Sequence, residues 1–182
     1  MGPRFLYFAG HELSEAELCA ARLDGDVIEV GEAWMPSDAV ETAELRARSL
    51  RDLAPPVFTV SHLSAAWVHG AGDRPPGRHA VCRTEQVRMH HVIDRRIVLH
   101  DRAVPDADRE RIGGVWVTRP HRTLVDLARS GDEHHRIAAR ALARVVPGSA
   151  ERALKWVNAR ERLPHRRAAL ALLTGLAAVT TT

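Results

Sequence analysis

Eleven histidines are the first residues of this 182-residue chain that could do chemistry. An imidazole can ligate a metal or move a proton near neutral pH. His62 and His69 stand seven apart, about two helical turns, so a helix would set them on one face. His90, His91 and His100 fall in segments that read as strands, and His134-His135 opens a helical stretch. The spacing has no metal signature: no His-Glu-x-x-His, no cysteine pair, no tight His-x-His beside a carboxylate. A restriction-type nuclease needs an Asp and a Glu-x-Lys, with carboxylates to hold Mg²⁺. The one lysine is Lys155; Ala153 stands two before it, and Glu151 is four away. Ser61 and Ser64 lack a Gly-x-Ser-x-Gly elbow and read as helix caps. Gly113-Gly114 is followed by no Gly-Lys-Ser/Thr, so it is not a phosphate loop. The expectation is no catalytic residue, no metal and no cofactor.

Arginine is the other chemically loaded residue. Lys155 apart, the basic residues are all arginine, 25 of the 26, and arginine's planar fork suits phosphate and carboxylate. Residues 1–40 hold two basic and eight acidic residues, a net −6; the other 24 basic and 15 acidic residues give residues 41–182 a net +9. With a pI near 9.5, this points to an anionic partner for the later part of the chain. The candidate binding residues are Arg46, Arg48 and Arg51 on one helix, Arg95 and Arg96 between two strands, and Arg119 and Arg122 at a helix start. Helix N-termini themselves attract anions. Aromatic residues are only 4%, which disfavours single-strand binding by base stacking.

The elements that must position these residues follow from local chemistry. Gly113-Gly114 turns the chain, Val115-Trp-Val117 forms a strand, and Pro120 opens a helix carrying Leu124, Val125, Leu127 and Ala128 on its apolar face. Arg122 and Asp126 are four apart and pair on the outer side, worth about 0.3 kcal/mol if exposed. Val57–Val60 leading into the helix at Ser61–Gly70 repeats that strand-into-helix logic. Upstream, Ser14 and Glu17 form a capping box for a helix over 13–23, with Leu13, Leu18, Cys19, Ala21 and Leu23 on its apolar side. Strands are predicted at 27–30 and 33–35. A helix over 40–53 has Thr42, Leu45, Ser49 and Leu50 inside, and Pro55-Pro56 stops it. Strand candidates follow at 79–82, 90–93 and 97–100, then a charged loop over 105–111. After Arg129 the chain reads as three helices, the second capped by Ser149 and the last opened by Pro164.

Two cysteines, Cys19 and Cys82, are too few for a disulfide framework and read as reduced thiols. The apolar start, Phe5–Ala9, is too short for a signal peptide, and Ala168–Val179 falls short of the ~20 residues of a membrane helix. The expectation is a cytoplasmic protein with no membrane contact. Three segments are predicted: a short, winged-helix-like module over 1–38, a linking helix over 39–54, and a mixed α/β (α+β) domain with a helical C-terminal tail over 55–182.

Two stretches, Val-Ser-His-Leu-Ser-Ala-Ala-Trp-Val-His-Gly ending at Gly70 and Gly-Gly-Val-Trp-Val-Thr-Arg-Pro-His-Arg-Thr-Leu-Val-Asp-Leu-Ala ending at Ala128, resemble the AbiEi-type antitoxin family, in its actinobacterial branch. Residues 13–36 resemble the end of that family's winged module. The resemblance implies a type IV toxin–antitoxin system. In it a winged domain binds operator DNA and represses its own operon, and a C-terminal domain counteracts a nucleotidyltransferase-like toxin or acts on that toxin's target. Here the front module is short and acidic, with Glu15 and Glu17 on the helix that would meet DNA. The leading expectation is a non-catalytic antitoxin-like regulator. The alternatives are a metal-dependent nuclease or nucleotidyltransferase-like enzyme using the histidines with Asp101, Asp106 or Asp108, and a protein-interaction module that dimerises through its last helix.

Overall fold

The computed structural model describes residues 6–85 and 94–180. Ser14 starts the first helix, α1 (Glu15–Leu23): its side chain accepts from the Glu17 N–H, and the Glu17 carboxylate accepts from the Ser14 N–H at 2.7 Å. Of the apolar face expected here, Leu18 is buried, whereas Cys19 is exposed and Leu23 is 86% exposed. After the turn at 24–26, β1 (Val27–Val30) and β2 (Ala33–Pro36) form an antiparallel hairpin, and Tyr7 bridges to Trp34. Gly31 turns this hairpin at φ +55°, and a Cβ there would collide with the Ser49 hydroxyl. The second helix, α2 (Ala43–Ser49), is shorter than predicted. Thr42 does not pack inward; its hydroxyl caps the helix by accepting from the Leu45 N–H at 3.3 Å.

Five strands build the main sheet: β3 (Phe58–Val60), β4 (His79–Arg83), β5 (Ile97–Ala103), β6 (Arg109–Ile112) and β7 (Val115–Thr118), in the order β5-β4-β3-β7-β6. The predicted strand at 90–93 lies outside the described residues. β3 and β7 are parallel neighbours, with Val60 opposite Val117. Each runs straight into a helix, α3 (His62–Val68) and α4 (Pro120–Ala128). The two strand-into-helix corners seen in the sequence therefore lie side by side, and their helices pack on each other. β6 corrects the expected loop at 105–111. A one-turn 3-10 helix, Asp106–Asp108, leads into this strand, which pairs antiparallel with β7. It is an edge strand; its Arg111 is exposed, whereas the buried Arg109 is satisfied by the Thr84 and Val104 carbonyls and by Asp106. Gly113 in the β6–β7 turn has φ +55°, and a Cβ would strike the Glu44 carbonyl of α2.

Of the two serines expected to cap α3, only Ser61 stands at the cap. Ser61 occupies the cap position, but its hydroxyl lies 3.0 Å from His62 Nδ1 instead of holding a helix N–H. Ser64 is inside the helix and buried, where its hydroxyl accepts from the Ala80 N–H at 2.9 Å and ties α3 to β4. Three further helices follow: α5 (Glu133–Val145), α6 (Ser149–Asn158) and α7 (Arg166–Thr180). Asp132 caps α5 by accepting from the His134 and His135 N–H groups. Gly148, not Ser149, holds the cap position of α6.

The core forms two clusters. The first runs from Leu6, Val30 and Met35 through Leu45 and Leu50 to Val60, Trp67, Val81 and Val117, so the boundaries expected at 38 and 55 both fall inside it. The second joins α4 to the last three helices through Leu124, Leu127, Leu142, Ala153, Val157 and Leu173. The architecture is mixed α/β. Among the described residues no helix is long and apolar enough to cross a membrane.

Candidate functional site

α4 carries charge into the interior, which apolar spacing would not suggest. Arg122 is 3% exposed, and its guanidinium bonds two carboxylates: Nη1 to Asp108 Oδ2 at 2.9 Å and Nε to Asp126 Oδ2 at 2.9 Å. The predicted Arg122–Asp126 pair is therefore real but buried, not on the outer side. Trp156 of α6 completes the arrangement, its indole N–H donating to Asp108 Oδ1 at 2.8 Å and its ring lying under the Arg122 guanidinium. His121 Nε2 approaches the same carboxylate at 3.6 Å. Burial would push the Asp108 carboxyl up, but hydrogen bonds from His121, Trp156 and Arg122 outweigh it and hold the group at about 2. This lock joins the 3-10 turn, α4 and α6. Trp156 was not anticipated, because Asp108 and Trp156 are 48 residues apart.

On its other flank, Asp126 faces a cleft of about 240 Å³ between α3, β5, α4 and α5. Four histidines, His62, His100, His135 and His165, and two arginines, Arg102 and Arg129, line it; Ser130 adds a hydroxyl and Asp126 a carboxylate. The His62 and His100 rings stack with centroids 3.8 Å apart and an interplanar angle of 17°. Burial lowers His62 to about 4; Asp126 opposes this, and His100, His135 and Arg122 add to it. Burial likewise lowers His100 and His135. His62 holds a left-handed φ of +48°, a strained conformation for a residue with a side chain. His69 does not share this face as expected: at the far end of α3, its Nε2 lies 2.8 Å from the Thr118 carbonyl. His90 and His91 lie outside the described residues.

The carboxylates named for an enzyme do not converge on the histidines. Asp101 is exposed and pairs with Arg83 at 2.8 Å, Asp106 pairs with Arg109, and Asp108 belongs to the lock. Among the described residues no group of three His, Cys, Asp or Glu side chains is arranged to hold a metal ion. Cys82 is buried, which raises its thiol to about 11, outside the range of a reactive thiolate.

The seven predicted arginines separate by environment. Arg122 is withdrawn from solvent, which removes it from any surface for an anionic partner. Arg46 is largely enclosed, its guanidinium bonding the carbonyls of Trp67 and Gly72 and the Glu41 carboxylate. Arg96 bridges Glu32 and Asp94 at 2.7 and 2.8 Å. Arg51 lies over the Phe8 ring at 3.9 Å and pairs with Asp52. Arg119 is exposed, with Nε donating to the Arg109 carbonyl at 3.0 Å. Arg48 and Arg95 are exposed and have no carboxylate partner among the described residues. The arginine spacing alone could not separate staples from free cations, because every staple reaches a distant segment.

Fold and site together define a mixed α/β body, capped by helices and organised around a buried arginine of the second strand-into-helix corner. A family model for the AbiEi antitoxin C-terminal domain matches residues 59–175, and the chain belongs to that family. This places it among the antitoxins of toxin–antitoxin systems. The match begins within β3 and ends within α7, so it spans both corners, the lock and the cleft. A solved structure, the RV2827C protein from Mycobacterium tuberculosis, is similar at 18% identity over 92% of this chain and 70% of that chain, with a TM-score of 0.38. The search of curated proteins returned no match.

Proposed function

We propose that the protein is an antitoxin that works by binding, without turnover, and that its basic body contacts an anionic partner, with its own operator DNA as the first candidate. The observation that supports this reading is the coincidence of the family match over 59–175 with the part of the chain that carries the positive charge. The front segment does not suit a phosphate backbone: Glu15 and Glu17 are both exposed on α1. Arg22, its one basic residue, is already engaged with Glu29 at 3.3 Å. The DNA contacts are assigned to the exposed Arg48, Arg51, Arg95 and Arg119. Neutralising phosphates with such cations makes affinity fall steeply with salt.

A gel shift on the DNA upstream of the gene, run at two salt concentrations, tests the DNA half. The expected result is a complex at low salt that weakens at high salt, and a flatter salt dependence when the four arginines are changed together to glutamine. No complex at low salt removes operator binding. The antitoxin half has a separate readout in co-expression with the product of the adjoining gene, a nucleotidyltransferase-like toxin on this reading.

A further inference from the structure

The histidine cleft plays no part in the reading above, and its contents ask for a ligand of a particular kind. Its walls are arginines and hydrogen-bonding side chains, two of them in part engaged: Arg129 Nε donates to the Pro164 carbonyl at 2.9 Å, and His135 Nδ1 is paired with the Ser130 hydroxyl. Asp126, the carboxylate in the lining, is already shared between Arg122 at 2.9 Å and Arg129 at 3.8 Å. Arg102 is exposed at the rim, has no carboxylate partner among the described residues, and lies close enough to Arg129 and His100 for its charge to act on both. Like charges crowded into a partly buried space are costly unless an anion joins them. A metal ion does not fit the present arrangement. The nearly parallel rings of His62 and His100, at 17°, hold their nitrogen lone pairs in separate planes that do not converge. The volume, about 240 Å³, lies below the roughly 300–1,000 Å³ of sites for drug-sized ligands, so the occupant is small. Guanidinium forks match oxyanions in two-point contact.

We propose that this cleft binds a phosphate group, either as the free anion or as the end of a phosphomonoester, held by Arg102 and Arg129 with His100 and His135 as further donors. The site is independent of the antitoxin reading and stands or falls apart from it.

The test is a titration of the full chain with inorganic phosphate at about pH 7.5, where phosphate is mainly dianionic, following the histidine ring signals by NMR at constant ionic strength. The expected result is saturable shifts of His62, His100 and His135 with a dissociation constant below about 1 mM, weakened at least about tenfold in Arg102→Gln. Arg102 is exposed, so that variant keeps the fold; His135→Gln, at the start of α5, provides a second variant with the same expectation. Methyl phosphate should also bind, and dimethyl phosphate, with one charge, should not. Tighter binding of methyl phosphate assigns the ligand as a phosphomonoester, and tighter binding of inorganic phosphate assigns it as the free anion. Shifts that do not saturate, that chloride reproduces, or that both folded variants leave unchanged overturn the proposal.

Discussion

Asp126 stands between two charged neighbourhoods that use the same residue types differently. On the lock side, Arg122 meets two carboxylates and Asp108 receives an indole N–H as well, so charge and hydrogen bonds are matched. On the cleft side, Arg102, Arg129 and four histidines line one space with a single carboxylate, Asp126, which Arg122 and Arg129 already engage. A matched buried network joins elements and resists change. An unmatched one is less favourable for the fold, a pattern more common where a ligand completes the site. The comparison separates arginines that build this molecule from those left to meet something else.

The sharpest way to break the contrast is to remove one charge from each side. Asp108→Asn leaves Arg122 buried with one carboxylate, and breaking a buried pair of this kind costs about 3 kcal/mol. Arg102→Gln, at the cleft rim, should change stability by less than about 0.5 kcal/mol in either direction. Urea denaturation of both variants checks this, and equal losses would erase the distinction.

Acid should separate the two sides by pH. His62 has its pKa lowered from 6.5 to about 4 in the folded chain. Below pH 6.5 the unfolded chain takes up a proton that the folded chain refuses until about pH 4. Stability therefore falls as pH drops through that window, by up to about 3 kcal/mol from this group. Asp108 moves from 3.8 to about 2, so its contribution is present above pH 3.8 and is lost as pH falls towards 2, about 2 kcal/mol in all. Stability measured between pH 7 and 2 should show both losses, with His62→Gln reducing the upper one, to which the other buried histidines also contribute, and Asp108→Asn reducing the lower. A profile that is flat between pH 6.5 and 4 would contradict the cleft's description.

Trp156→Phe is a milder cut into the lock than Asp108→Asn. The ring stays under Arg122 but the indole donor to Asp108 is gone, so the expected loss is about 1–2 kcal/mol in denaturation. The Asp108 carboxyl should also titrate at higher pH, readable from its NMR signal.

The corners of the fold were legible because their chemistry is local. Val115–Val117 running into Pro120 states a strand and a helix start within six residues, and Ser14 with Glu17 states a cap within four. β6 was hidden because Arg109-Glu110-Arg111 reads as a loop by composition; its strand character comes from pairing with β7, and its charges survive at a sheet edge. The helix-period spacing of Arg122 and Asp126 announced their pairing but not its burial, which depends on Asp108 and Trp156 from other elements. The cleft was out of reach for the same reason: His62, His100 and His135 come from a helix start, a strand and another helix, and no spacing along the chain links them.

The central claim is that this basic body counteracts a toxin by binding. The most direct measurement is growth of cells expressing the adjoining gene, with and without the full chain. The account predicts arrest by the adjoining product alone and restored growth when the chain is present. Unchanged arrest with soluble, folded chain in the cells would contradict it.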